Sequence, residues 1–433
     1  MSIIADLIKR RISRRTFIKA TGFAAAASVL PGPARTVVGG TPGGLIIPPG
    51  VRDYNTRLVL LGTTGGVSWW PGTNRASTSS ALVVGDAVYV VDLGQGTTNR
   101  LAQTFNWGKW IDTPGGRIED GSSIFLQAVK ALFFTHLHQD HTADYPNLLL
   151  IGPGAGLGSY TDPVTNERSR VPLKVFGPCN RGKLEEDKSE YLQRNGTIIP
   201  TITYEPYSST QTPGTREMTE LIWQAFAQTI NDMTLDNGYP DFTALIDVKE
   251  IGPYDNEVLL PMPEGWSDPN AEPCPHITPF VVYSDDKVEV KATLVNHHQV
   301  FPAFAFRFDT NDGSVVISGD TGRDTSWNLQ ELAAGADILV HEVIDPAWIE
   351  QKFGPKPEPP MDALKEHMYA SHTTIADAGV VARECGVRTL VLNHIVPGNT
   401  PRAHLMQAKR RFYGKLIIGE DLMQIGVGSK RSI

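Results

Sequence analysis

Residues 133–145 read FFTHLHQDHTADY, an apolar run that gives way to three histidines and one aspartate within six positions. The preceding KALFFT has the length and composition of a short buried strand. His136 and His138 therefore fall where strand becomes loop. Residues two apart on such a segment point the same way, so two imidazoles can grip one divalent ion between them. Asp140 and His141 follow in a turn and can reach a second ion beside the first. An HxH pair alone carries little weight, whereas HxHxDH behind an apolar strand is a specific metal signature.

Four further stretches share that context, each an apolar run ending in metal-ligand residue types. ATLVNHH ends in His297 and His298, SVVISGD in Asp320, ADILVHE in His341 and Glu342, and TLVLNH in His394. Ligands at strand ends converge along one edge of a sheet sandwich, where rigid strands hold them. Around them TRLVLLG, SSALVVGDAVYVVD, KVEVKATL and PAFAFRFDT read as strands, and DYPNLLLIG as a helix. Helix-and-strand units follow in NLQELAAGADILVHEV and TTIADAGVVARECGVRTLVLNH. Strand clusters in both halves, each followed by helices, predict an α/β fold of two sheets packed face to face with helices outside. Residues 151–290, richer in Pro, Gly, Asn and Tyr, are expected to form an inserted lid or subdomain carrying one amphipathic helix, REMTELIWQAFAQTINDM. The core domain is then split into 57–150 and 291–433.

The N-terminus has a different character. Residues 1–34 have a basic start, a short apolar middle and a small-residue end, the anatomy of an export signal. Ser13-Arg14-Arg15-Thr16-Phe17-Ile18-Lys19 resembles the bacterial twin-arginine signal, which implies passage through the twin-arginine machinery and a periplasmic or secreted destination. A Gly/Pro-rich linker, 35–56, follows. No run of about twenty apolar residues occurs in the body, so no transmembrane span is expected in the mature chain. Six basic residues and one acidic residue leave with the signal, moving the net charge from −8 to −13. Such a body lacks the basic footprint that usually displaces counterions from a polynucleotide, which argues against a nucleic-acid partner. Three cysteines are too few for a disulfide framework; a single bridge between Cys179 and Cys274 is one option and buried thiols are the other.

Taken together, HxHxDH, a later His, the GD of Gly319-Asp320 and a final His resemble the metallo-β-lactamase-fold superfamily. That resemblance implies an αββα sandwich with a binuclear metal site at one edge. By position it assigns His136, His138 and His297 to one ion, Asp140, His141 and His394 to the other, and Asp320 to both; His297 is preferred to its neighbour His298. Gln139 stands where flavodiiron members carry a glutamate, and an amide is a poor ligand for a hard iron centre. His341-Glu342, the SHTT around His372 and SGDT resemble the ribonuclease Z and arylsulfatase branch. There the resemblance implies that Glu342 orients His372, which handles a proton or contacts the anionic group in flight, and that the protein forms a homodimer.

The chemistry so implied is ester hydrolysis. Two divalent ions, zinc by the ligand types, hold and acidify a shared water, with Asp140, His372 and Glu342 as the catalytic set. Three readings follow. Export, the acidic body and the insertion favour a small-molecule ester substrate of arylsulfatase or phosphodiesterase type. The alternative is a ribonuclease Z-like endoribonuclease that processes the 3′ side of tRNA; the His372–Glu342 pair fits it, but export away from tRNA and the lack of a Gly- and Lys-rich tRNA-gripping arm argue against it. A non-enzymatic binding protein on the same fold would require lost ligands, and the full set is present.

Overall fold

The computed structural model describes residues 47–429 apart from 67, 106–109, 120–123, 163, 184–210, 254–255, 324–325 and 359–360. Residues 1–34, read as an export signal, and most of the linker lie outside the described residues.

Two mixed sheets face each other. The first has eight strands in the order Val258–Leu259, Ile246–Gly252, Leu173–Pro178, Val129–Phe133, Ala87–Val91, Ser79–Val84, Thr56–Gly62, Gln424–Gly426. The second has seven, Phe280–Ser284, Val288–Leu294, Phe304–Thr310, Ser314–Ile317, Ile338–Ile344, Thr389–Val396, Lys415–Ile418. Strand periodicity explains why their sequences are almost continuously apolar: alternate residues serve two cores. Leu58 and Leu60 enter the layer between the sheets, while Val59 and Leu61 pack on the outer side with Leu101, Phe105 and Leu148. On the second sheet Val340 faces inward, and Leu339 and Val343 pack beneath the helices Asn328–Ala333 and Ile375–Glu384. Phe133 sits at the centre of the inner layer, stacked on Phe176 at 5.1 Å and 5.4 Å from both Phe306 and Phe308. The layers are thus helix, sheet, sheet, helix, the αββα sandwich expected from the sequence.

Residues 151–290, expected as an inserted subdomain, also supply strands to both sheets. Leu173–Pro178 and Ile246–Gly252 join the eight-stranded sheet, parallel to each other and continuous with Val129–Phe133. Phe280–Ser284 opens the second sheet. Their Pro- and Gly-rich flanks conceal them in the sequence, but Leu173, Val175 and Ile251 are fully committed to the core. The expected amphipathic helix is two, Thr215–Ala225 and Ala227–Asn237, broken at Phe226, whose φ of −109° and ψ of 19° leave the helical range. Cys179 and Cys274 do not pair: all three cysteines are thiols, and Cys274 Sγ lies 3.7 Å from the Ser326 hydroxyl. Among the described residues no helix is long and apolar enough to cross a membrane.

Candidate metal centre

The opening motif is shaped by a hidden anchor. Asp92, just past the strand Ala87–Val91 in a left-handed conformation (φ 60°), accepts hydrogen bonds from the Thr135 amide at 2.8 Å and hydroxyl at 2.9 Å. This fixes the exit from Val129–Phe133, so that His136 turns inward, fully buried. The short helix Gln139–Thr142 then carries Asp140 and His141 to the same place. From the second sheet His297 follows Val288–Leu294, and Asp320 follows Ser314–Ile317 through Gly319, itself at φ +61°. His394 sits on a bulge. Glu342 pairs with Asn393 and Val343 with Ile395, leaving His394 unmatched at φ 43°, which re-aims its ring toward the sheet edge.

The result is two adjoining clusters. His136, His138 and His297 form one, and Asp140, His141, Asp320 and His394 the other, with the ligand atoms of each within 4.8 Å of one another. Asp320 divides its carboxylate between them. Its Oδ1 lies 3.3 Å from His141 Nε2 and 3.1 Å from His394 Nε2, and its Oδ2 lies 3.9 Å from the Nε2 of both His136 and His297. His298 stays outside, its ring 5.7 Å from His367, and His341 turns away, its Nδ1 2.7 Å from the Glu342 carbonyl oxygen. Gln139 is exposed at the rim.

Outer contacts fix the ring orientations. His141 Nδ1 is 2.9 Å from Asp92 Oδ2, and His297 Nδ1 is 2.9 Å from the Ser371 carbonyl oxygen, so each presents Nε2 to the centre. The Gly66 amide donates to Asp140 Oδ2 at 2.6 Å. Sequence reading did not single out Asp92, Ser371 or Gly66 as site residues. Asp92 could have been suspected from its place at a strand end before a glycine turn; the other two act through backbone atoms and leave no signal.

Burial, more than any neighbour, keeps His136 and His297 neutral, well below the usual imidazole range. Burial acts likewise on His141 and His394, but Asp320 and nearby carboxylates overcome it, holding His141 well above that range and His394 up to about 10. Asp320 and Asp140 are held low against their own burial by these imidazoles. His136 Nε2, His141 Nε2 and Asp320 Oδ1 are buried with no hydrogen-bond partner. Unpaired buried polar atoms are costly, and divalent cations at the two clusters would satisfy all three. Imidazole and carboxylate donors without thiolate suit such ions. The clusters form a binuclear metal-binding site.

Beside it lies His372, its Nδ1 3.3 Å from Glu342 Oε1 and 3.9 Å from Asp320 Oδ2. Glu342 is buried and held by the amides of Thr373 at 2.8 Å and Thr321 at 3.2 Å. Burial pushes the His372 imidazole down, and Glu342 more than reverses this.

No family model matches the chain. It is 26% identical over 376 residues to ribonuclease Z of Mycobacterium sp. (strain KMS), covering 86% of this chain and 96% of the relative. It is 25% identical over 379 residues to ribonuclease Z of Mycobacterium bovis (strain BCG / Pasteur 1173P2), covering 87% and 99%. Among solved structures, human tRNase Z, short form, aligns over 86% of this chain and 99% of its own, with TM-score 0.49 and 19% identity. The metallo-β-lactamase fold protein YhfI from Bacillus subtilis aligns over 86% and 98%, with TM-score 0.46 and 16% identity. The similarity to ribonucleases over most of the chain corrects the expectation, drawn from net charge, that nucleic acid is an unlikely partner. Net charge is a poor guide here, because divalent ions at the site would themselves supply positive charge to a phosphate. The αββα sandwich and its convergent His and Asp residues are those of a metal-dependent hydrolase of metallo-β-lactamase-like fold, and over most of its length the chain is similar in sequence to ribonuclease Z.

Proposed function

We propose that the protein hydrolyses phosphodiester bonds of RNA, as a ribonuclease Z-like 3′-tRNA-processing endoribonuclease using two zinc ions. The observation that carries the reading is the Asp320 carboxylate set between two ligand clusters, with the His372–Glu342 pair beside it. His136, His138 and His297, and Asp140, His141, Asp320 and His394, would hold two zinc ions, which would supply Lewis acidity and lower the pKa of a bound water. His372, oriented by Glu342, then stabilises the departing oxygen or gives it a proton. Sequence kinship with ribonucleases Z supports the choice of phosphodiester over other esters.

The test is to load the full-length protein with zinc and offer a 3′-extended tRNA precursor, bis(p-nitrophenyl) phosphate and p-nitrophenyl sulfate side by side. Cleavage of the RNA and the phosphodiester, abolished by chelator, is the expected result. Turnover of the sulfate ester alone overturns the reading.

A second reading is favoured by Ser13–Lys19, whose twin-arginine pattern suits an enzyme that loads its metal before export and meets a small aryl ester outside the cytoplasm. Cell fractionation separates the two, since a tRNA-processing role requires cytoplasmic protein.

A further inference from the structure

The cavity over the metal site has two unlike sides. It encloses about 270 Å³, and His138, Asp140, Asp320 and His372 form its floor. The facing wall is mostly apolar, built by Trp70, Trp348, Phe353, Leu364, Met368 and Val396, with Lys352 and His367 beside them. Most of this wall comes from one helix pair, Pro346–Phe353 and Met361–Ser371, which fills the chain between Glu342 and His372. Glu350 on the first helix accepts from Lys365 Nζ at 2.7 Å and Tyr369 Oη at 2.8 Å on the second, which ties the two helices together.

The pair anchors through Ile349, which is fully buried, and Phe353. Leu364, 38% exposed, lines the cavity, and so do the half-buried Trp348 and Met368, which pack on that anchoring cluster with one side and leave the rest of their surface to the cavity. Leu364 and Met368 stand four apart and share one helix face. Trp70 reaches across from the Gly65–Gly66 loop, its ring 5.6 Å from Trp348 in edge-to-face contact, its Nε1 donating to the Gly65 carbonyl at 3.0 Å. Lys352 Nζ lies 5.0 Å above the Trp348 ring, placing a cation at the rim. Apolar surface kept open a few ångströms from charged catalytic groups is what a ligand with an anionic head and a flat apolar body would bury.

We propose that Trp348, Met368 and Trp70 form a ring-binding subsite for a planar aromatic group carried next to the scissile ester. This rests on the hydrolase reading above and adds to it the chemistry of the neighbouring substituent. Stacking and edge contacts with aromatic and thioether side chains are sequence-tolerant and reward any flat ring, whether nucleobase or aryl group.

The test uses zinc-loaded full-length protein and calorimetric titration with adenosine 5′-monophosphate, p-nitrophenyl phosphate and ribose 5-phosphate. At least one ring-bearing ligand binds about tenfold tighter than ribose 5-phosphate, and Trp348→Leu and Met368→Ala each shrink that advantage severalfold. Leu364→Ala, at an exposed position the fold does not rely on, shrinks it less and guards against misfolding of the tryptophan variant. Tighter binding of the nucleotide identifies a base as the ring, and tighter binding of the nitrophenyl ester identifies an aryl group. Equal binding of all three ligands, or a ratio unmoved in all three variants, overturns the proposal. If the ring preference stands while neither RNA nor bis(p-nitrophenyl) phosphate is cleaved, the subsite holds and the phosphodiester reading falls.

Discussion

Asp92 Oδ2 lies 2.9 Å from His141 Nδ1, in a contact that spans 49 positions of chain and is buried at both ends. The carboxylate fixes the imidazole tautomer so that Nε2 faces the second cluster. Asp92→Ala is therefore expected to weaken zinc binding by about 10–100-fold, read by competition with a chromogenic chelator. Thr135→Val removes a hydroxyl that donates to Asp92 and lies 3.2 Å from His136 Nδ1 and 3.3 Å from His141 Nδ1, but it leaves the Asp92–His141 contact and should weaken binding less. Equal losses in both variants would mean that Asp92 acts only on the turn.

Removing His372 should separate chemistry from metal binding. Its Nδ1 lies 3.9 Å from Asp320 and 3.3 Å from Glu342; it belongs to neither main cluster, although it also groups with His297 and Asp320 and with Glu342 and His394. His372→Ala is expected to slow turnover by roughly 10²–10⁴-fold while elemental analysis still finds two ions per chain. Asp140→Ala removes a ligand and should lose both activity and metal from the second cluster. Metal loss in the His372 variant would reassign that residue as a ligand.

Proton release should accompany metal entry. In the metal-free protein Asp320 and its neighbours hold His394 up to about 10 and His141 well above the ordinary range, so both rings are charged at neutral pH. A cation can bind them only as neutral imidazoles, and loading should release about two protons at pH 7, measured by calorimetry in buffers of different ionisation enthalpy. The linked stability has a definite sign. A raised folded value stabilises fully below the unfolded value of about 6.5 and fades as pH climbs toward the folded one. The melting temperature of metal-free protein should thus decline from pH 7 toward pH 10, whereas zinc-loaded protein should not follow it down.

Gly65 marks how closely the first loop approaches His394. A Cβ at that position would lie 2.0 Å from His394 Cε1 and 2.2 Å from both ring nitrogens. The ring cannot retreat, because its Nε2 is 3.1 Å from both Asp140 and Asp320. Gly65→Ala should cost about 1–3 kcal/mol in thermal unfolding and deplete the second cluster of metal. A variant with wild-type metal content and melting temperature would show that the loop has room to move.

Much of the sandwich and its ligands was legible because both depend on local pattern. Apolar runs of strand length that end in His or Asp announce themselves, and His136, His138, Asp140, His141, His297, Asp320 and His394 all carry that mark. What was not legible is set by contacts distant in sequence or made by backbone. Asp92 looks like a turn residue until Thr135 and His141 fold against it, and Ser371 acts through a carbonyl. The strand Leu173–Pro178 was hidden because its alternation is brief and it ends in Gly-Pro; only the parallel partner on each side makes it a strand. The bulge that aims His394 arises from a register mismatch between two strands, which neither sequence contains alone.

Each ligand cluster draws on both sheets. His136 and His138 come from the eight-stranded one and His297 from the seven-stranded one; Asp140 and His141 meet Asp320 and His394 across the same divide. A pair of ions so placed would rivet the sandwich along its open edge. Each half of the chain alone offers an incomplete chelate, and fragments cut between residues 150 and 290 would regain a tight cation site only by reassembling. Metal affinity would in that sense gauge how firmly the two halves are fastened.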